Sequence, residues 1–195
     1  MGRKIGIFGG TFDPLHNGHI AAAEAAHQQI GLDLVLFVVA NIPWQKSSLR
    51  VIESPEDRLA MVEAAVTSIP EFEASRLEID RQGESYMSDT VQELQSQFPS
   101  DQFFLILGED VAAGLTTWHN IGEVIAAVEI VIVRRRHDAV MNLPTNTRVS
   151  YVELDVPVSS TMVRDRIMKG QSIENLVPAE VLLCIKEREL YSGSR

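Results

Sequence analysis

Lys4-Ile5-Gly6-Ile7-Phe8 runs without a break into Gly9-Gly10-Thr11-Phe12-Asp13-Pro14-Leu15-His16-Asn17-Gly18-His19. The first five residues are of strand length and mostly apolar at successive positions. A strand with one wet face would alternate, so this run suits a strand covered on both sides, as in a parallel sheet. Gly9 and Gly10 then let backbone approach a ligand without Cβ obstruction. Asp13-Pro14 turns the chain, and Asn17-Gly18 opens a helix expected over residues 18–30. The exposed N–H groups at such a helix start favour an anion. His16 and His19, three apart, are expected on one face of its first turn, where both imidazoles could donate to phosphate oxygens.

The same alternation continues outward. Residues 34–40, 103–107 and 129–133 read as further buried strands, and 71–80 and 149–154 as less regular ones. Helical segments are expected over 55–68, 88–97, 111–126, 160–169 and 178–190. Ser54 can cap the first of these, with Pro55 at the opening helical position and Asp57 three residues after the cap. Strands alternating with helices imply an α/β fold with an open, doubly wound, mainly parallel sheet that binds ligands at its strands' carboxyl ends. Residues 1–195 are expected to form one domain, whose C-terminal helical part (about 159–195) completes the site.

Composition narrows the function. Of 195 residues, 45% are hydrophobic, enough for a sizeable core. Acids outnumber bases 27 to 17, a net charge of −10 that disfavours a nucleic-acid partner. No run approaches the roughly 20 apolar residues of a membrane helix. One cysteine, Cys184, excludes an internal disulfide. The opening residues are expected to enter a strand directly, with neither a cleavable signal nor a myristoylation pattern, so no membrane association and a cytoplasmic protein are expected.

Ser159-Ser160-Thr161-Met162-Val163-Arg164 forms a second chemical cluster. One serine can cap the helix that follows, while the other hydroxyls, the free N–H groups and Arg164 make a compact anion receptor. Hydrogen bonds to a charged group contribute roughly 1.5–3 kcal/mol each, against about 0.3–1 from the helix dipole, so the direct donors dominate. Three other readings of the first loop are weaker. It lacks the Gly-x-Gly-x-x-Gly dinucleotide fingerprint and the Gly-Lys-Ser/Thr of a phosphate-binding P-loop, and no third and fourth zinc ligands accompany its histidines.

His16-Asn17-Gly18-His19 and Ser159–Arg164, about 140 residues apart, resemble the His-x-Gly-His and Ser-Ser-Thr-x-x-Arg elements of the nucleotidyltransferase superfamily. Over the whole chain the resemblance is to bacterial nicotinate-nucleotide adenylyltransferases, which implies a Rossmann-like fold and adenylyl transfer from ATP to nicotinate mononucleotide. It implies phosphate contacts by His16 and His19, balance of developing charge by Lys46 and Arg164, and Mg²⁺ arriving with ATP. Gly9, Gly10, Thr11, Phe12, Asp110, Ser159, Ser160 and Thr161 would bind ATP, with Asp110 accepting from a ribose hydroxyl. Tyr86, Thr90, Trp118 and Arg135 would bind the nicotinate nucleotide, Trp118 by stacking. Gln45 stands where the family has His, Met87 where it has Thr, and Arg136 where Pro is common. The resemblance admits a homo-oligomer as well as a monomer.

Pantetheine-phosphate adenylyltransferases share both phosphate elements, but usually carry Thr where His16 stands. A nucleotide-binding regulator without turnover is disfavoured by His16, His19 and Arg164 occurring together, and a nicotinamide-dependent oxidoreductase by the missing glycines.

Overall fold

A computed structural model describes residues 2–43, 52–134 and 142–192. Six parallel strands form one sheet: β1 (Lys4–Gly10), β2 (Leu34–Val39), β3 (Phe72–Ser75), β4 (Gln102–Gly108), β5 (Glu129–Arg134) and β6 (Val149–Glu153). Their spatial order is β3-β2-β1-β4-β5-β6. This is the doubly wound order in which strand direction of winding reverses between β1 and β4, opening a crevice at the strands' carboxyl ends.

The continuous apolar runs are explained by two cores. Along β2, Val35, Phe37 and Val39 join one buried cluster, and Leu36 and Val38 the other. Helices cover both faces: α1 (Asn17–Ile30), α2 (Pro55–Val66), α3 (Leu77–Arg81), α4 (Met87–Gln97), α5 (Glu109–Ala112), α6 (Ile121–Ala127), α7 (Ser160–Met168) and α8 (Ala179–Glu187). The expected cap of α2 is present, with the Asp57 N–H donating to Ser54 Oγ at 3.1 Å. Helix α1 ends at Gly31, whose φ of 68° lies in the left-handed region that favours glycine. Helix α8 packs on α2, which itself lies against β2 and β3, so the C-terminal segment comes back to the β2–β3 side of the sheet.

Two expected elements differ. Residues 71–80 are not one strand: pairing with β2 stops at Ser75, and α3 follows. The cause is tertiary, because α3 buries Glu78, whose carboxylate accepts from Thr90 Oγ1 at 2.5 Å. The helix expected over 111–126 is also interrupted. Helix α5 stops after one turn, a 3₁₀ turn spans Leu115–Thr117, and α6 starts after Asn120 at φ 47°. Thr117 Oγ1 donates to the Gly114 carbonyl at 2.8 Å, a local bond that competes with helix continuation.

Candidate active site

The loop leaving β1, the first turn of α5, the ends of β5 and β6, and the start of α7 together enclose a cleft of about 730 Å³. His16 and His19 line it together with Ser159, Ser160, Thr161 and Arg164. Two clusters far apart in sequence therefore face one cavity at the crevice where such sheets take ligands.

The first loop is shaped by close packing. A Cβ on Gly10 would fall 2.7–3.0 Å from three atoms of the Phe12 ring. Phe12 itself has φ 49°, rare for a bulky residue, and its ring is buried among Phe8, Phe37 and His19. Phe12 lines the cleft with a side chain that is 2% exposed. An added Cβ on Gly9 would lie 2.7 Å from Met87 Cε, the flexible end of a side chain that would have to move aside.

His16 precedes the helix in extended backbone instead of sharing its first turn with His19. The two imidazoles stack, centroids 3.6 Å apart and planes 21° from parallel. A Cβ on Gly18 would come within 3.0 Å of His16 Nδ1, so the glycine in His-x-Gly-His makes room for this stack. The His16 N–H donates to His19 Nδ1 at 3.1 Å. A nitrogen that accepts carries no proton, so in neutral His19 the donor is Nε2. Burial pushes the His16 pKa down to about 4, leaving that ring neutral at pH 7.

The second element is fastened to the first. Arg164 Nη1 donates to the Asp13 carbonyl at 2.6 Å and Nη2 to Thr161 Oγ1 at 3.1 Å. Ser160 Oγ donates to the Pro14 carbonyl at 2.9 Å, which commits its proton. Ser159 Oγ caps α7 by accepting from the Met162 N–H at 3.2 Å. Ser159 and Thr161 accept in these bonds and retain hydroxyl protons to donate, so they suit an anion better than Ser160 does. Asp110 also lines the cleft, its carboxylate folded over Gly108.

The described acceptor-side candidates, Tyr86, Thr90 and Trp118, are not among the residues lining this cleft. The Tyr86 ring packs on His119, centroids 4.6 Å apart, and its hydroxyl donates to Glu84. Trp118 is half-buried against the second core cluster, and its Nε1 is a buried donor with no hydrogen-bond partner among the described residues. Thr90 is fully buried, with its hydroxyl held by Glu78 and Arg81. These bonds tie α3 to α4 and place Thr90 in the packing between them. Lys46, Arg135 and the departures at Gln45 and Arg136 fall outside the described residues.

Three residues not singled out from the sequence hold the site from behind. Arg58 is 1% exposed and donates to the carbonyls of Glu53, Thr11 and Asn41, each at 2.9 Å, joining the loops after β1 and β2. Its only sequence signal is position: it shares the apolar face of α2 with Val62 and Ala65. Asp13 and Tyr191 meet beneath the same loop, Tyr191 Oη donating to Asp13 Oδ1 at 2.8 Å.

Residues 7–166 match the cytidylyltransferase-like family. The chain belongs to that family. Over 193 residues it is 40% identical to a protein of Geobacillus thermodenitrificans named as a probable nicotinate-nucleotide adenylyltransferase, covering 97% of this chain and 87% of that one. A relative of the same name from Bacillus pumilus is 38% identical across 98% of this chain and all of its own length. Among solved structures, Plasmodium falciparum nicotinic acid mononucleotide adenylyltransferase complexed with NaAD superposes with a TM-score of 0.80 over 97% of this chain and 98% of that one. Identity there is 15%, so this likeness shows the fold of this family member.

Proposed function

We propose that this chain transfers the adenylyl group of ATP to nicotinate mononucleotide, giving deamido-NAD and pyrophosphate. The observation that carries the reading is the one cleft lined by both His16 and His19 and by Ser159, Ser160, Thr161 and Arg164. The full-length relatives named for this activity supply the acceptor.

An oxygen of the acceptor's phosphate attacks the α-phosphorus of ATP in line. A new P–O bond forms as the bond to the β-phosphate bridging oxygen breaks, and its electron pair leaves with pyrophosphate. The phosphate monoester is already anionic, so no general base is needed, and catalysis is positioning plus charge stabilisation. His19 Nε2 donates to a phosphate oxygen, with its tautomer set by the His16 N–H. Neutral His16 can donate as well, and an adjacent phosphate would raise its pKa from the depressed value. Arg164, Ser159, Thr161 and the first N–H groups of α7 also grip the triphosphate, and Lys46 adds a second cation. Asp110 suits a ribose hydroxyl, and Tyr86, Trp118 and Arg135 form the acceptor side of the same proposal.

Mg²⁺ would supply Lewis-acid neutralisation of the triphosphate. Among the described residues, no group of three His, Cys, Asp or Glu side chains is placed to hold a cation. In this reading the metal arrives bound to the phosphate oxygens of ATP. A cytoplasmic location belongs to the proposal too, and no described helix is long and apolar enough to cross a membrane.

The test is pyrophosphate release from Mg-ATP with nicotinate mononucleotide, nicotinamide mononucleotide or 4′-phosphopantetheine. Release is expected with the first, less with the second and none with the third. Turnover confined to phosphopantetheine would replace the acceptor, and ATP binding without any turnover would favour a regulator.

A further inference from the structure

We propose that the Tyr191 hydroxyl is a positioning group for the phosphate-gripping loop, acting through the buried Asp13 carboxylate on Arg164. The inference rests on the reading of that cleft as the triphosphate site.

Asp13 is 1% exposed, lies in the loop after β1 and lines the cleft. Both of its ends are held. Its carboxylate accepts from Tyr191 Oη at 2.8 Å and, more weakly, from the Glu53 N–H at 3.4 Å. Its carbonyl accepts from Arg164 Nη1 at 2.6 Å. The Tyr191 N–H donates to Glu53 Oε1 at 3.0 Å, so residues 13, 53 and 191 close a small ring of hydrogen bonds. Arg58 carries that ring on to the carbonyls of Glu53 and Thr11. Two distant stretches, before α2 and after α8, thus set where one residue of the first loop sits.

The C-terminal segment is built to deliver this hydroxyl. Glu189 and Tyr191 both take left-handed backbone, φ 52° and 62°, a conformation unfavourable for non-glycine residues that persists where surroundings impose it. Leu190 between them is 3% exposed, and Arg188 ties the end of α8 to Asp57 at 2.9 Å. Burial and the Asp13 charge push the Tyr191 pKa well above the usual tyrosine range, so the group stays a donor. A carboxylate buried in this way needs its donors, and its backbone is the one that aims the Arg164 guanidinium. Removing the tyrosine proton takes away the shorter of the two Asp13 carboxylate bonds, which lets Asp13 shift and Arg164 with it.

The experiment compares the full-length wild type with Tyr191→Phe, Asp13→Asn and the double variant. Melting temperature, Mg-ATP affinity by calorimetry and steady-state kinetics are measured on each. Tyr191→Phe is expected to lower kcat/KM for ATP and Mg-ATP affinity by roughly tenfold, as for one lost charge-assisted hydrogen bond, with acceptor KM unchanged. In the Asp13→Asn background, where Tyr191 keeps only a neutral acceptor, the same change is expected to cost clearly less, roughly twofold to fivefold, because the two groups are coupled. Asp13→Asn alone keeps an oxygen acceptor for Tyr191 and is expected to fold and to lose ATP affinity several-fold. Folded Tyr191→Phe with kcat/KM for ATP within twofold of wild type would overturn the proposal, as would an equal loss in both backgrounds. If Tyr191→Phe does not fold, an Asp13→Asn variant with wild-type ATP affinity overturns it. Wild type that binds Mg-ATP but turns over no acceptor refutes adenylyl transfer, and the affinities still decide the role of Tyr191. Wild type that binds no Mg-ATP sinks both.

Discussion

Replacing Arg58 with Met keeps most of the side chain's length and removes its charge and donors. The wild-type guanidinium is 1% exposed and serves three carbonyls, each at 2.9 Å. At about 1.5–3 kcal/mol for each charge-assisted bond, the gross loss is roughly 4.5–9 kcal/mol. Methionine escapes the cost of burying a charge, several kcal/mol, which offsets part of that. The carbonyls of Thr11, Asn41 and Glu53 are meanwhile left without this donor. At about 1–3 kcal/mol for each unsatisfied carbonyl, less the offset, a net destabilisation of about 3–5 kcal/mol results. For a domain of 195 residues, about 2–4 °C per kcal/mol converts this to a fall in Tm of roughly 6–20 °C. Urea unfolding and calorimetry measure it directly. Arg58→Lys is expected to recover only part of the loss, since a single ammonium cannot match the three-way fork. A loss below about 1 kcal/mol for Arg58→Met would refute the claim that this residue joins the loops after β1 and β2.

Other perturbations follow from the same geometry. The pKa of His16 falls from 6.5 to about 4 on folding, so its neutral ring stabilises the fold fully above pH 6.5, and this is lost as pH falls from 6.5 towards 4. The full effect is about 3 kcal/mol at 1.36 kcal/mol per pH unit, and His16→Asn should flatten the fall in urea midpoint between pH 7 and 4.5; parallel curves would exclude it. His19→Ala removes a preorganised donor and is expected to lower kcat by about 10²–10³, read from pyrophosphate release, with near-normal turnover removing His19 from the mechanism. Gly10→Ala drives a methyl against Phe12, whose ring contacts His19, and overpacking of this kind costs about 1–3 kcal/mol. Both Tm and kcat should fall, and a variant with neither changed would show that the Phe12 ring has room to yield.

Much of the strand pattern was readable because burial on both faces leaves an unbroken apolar run, as in Val35–Val39 of β2. Phe72–Ser75 was harder, since the strand gives way to α3 only where Glu78 finds Thr90 and Arg81. The phosphate elements were legible as short local patterns of glycines, histidines and hydroxyls. Individual roles within them were not. Ser159 and Ser160 look alike in sequence, yet one caps α7 and the other donates its proton to Pro14. Thr90 has a ligand-like pattern around it and is fully buried.

Local chemistry written along the chain determined the α/β class, the strand that leads into the first loop, and the two clusters proposed as phosphate donors. Such features depend on residues within a few positions of one another, so they survive without coordinates. Tertiary structure alone decided that both sets face one cleft, that His16 is buried and neutral, and that Arg58, Asp13 and Tyr191 hold the loop from behind. Those facts depend on groups separated by as many as 178 positions, where proximity is set by sheet order and helix packing and leaves no periodic trace.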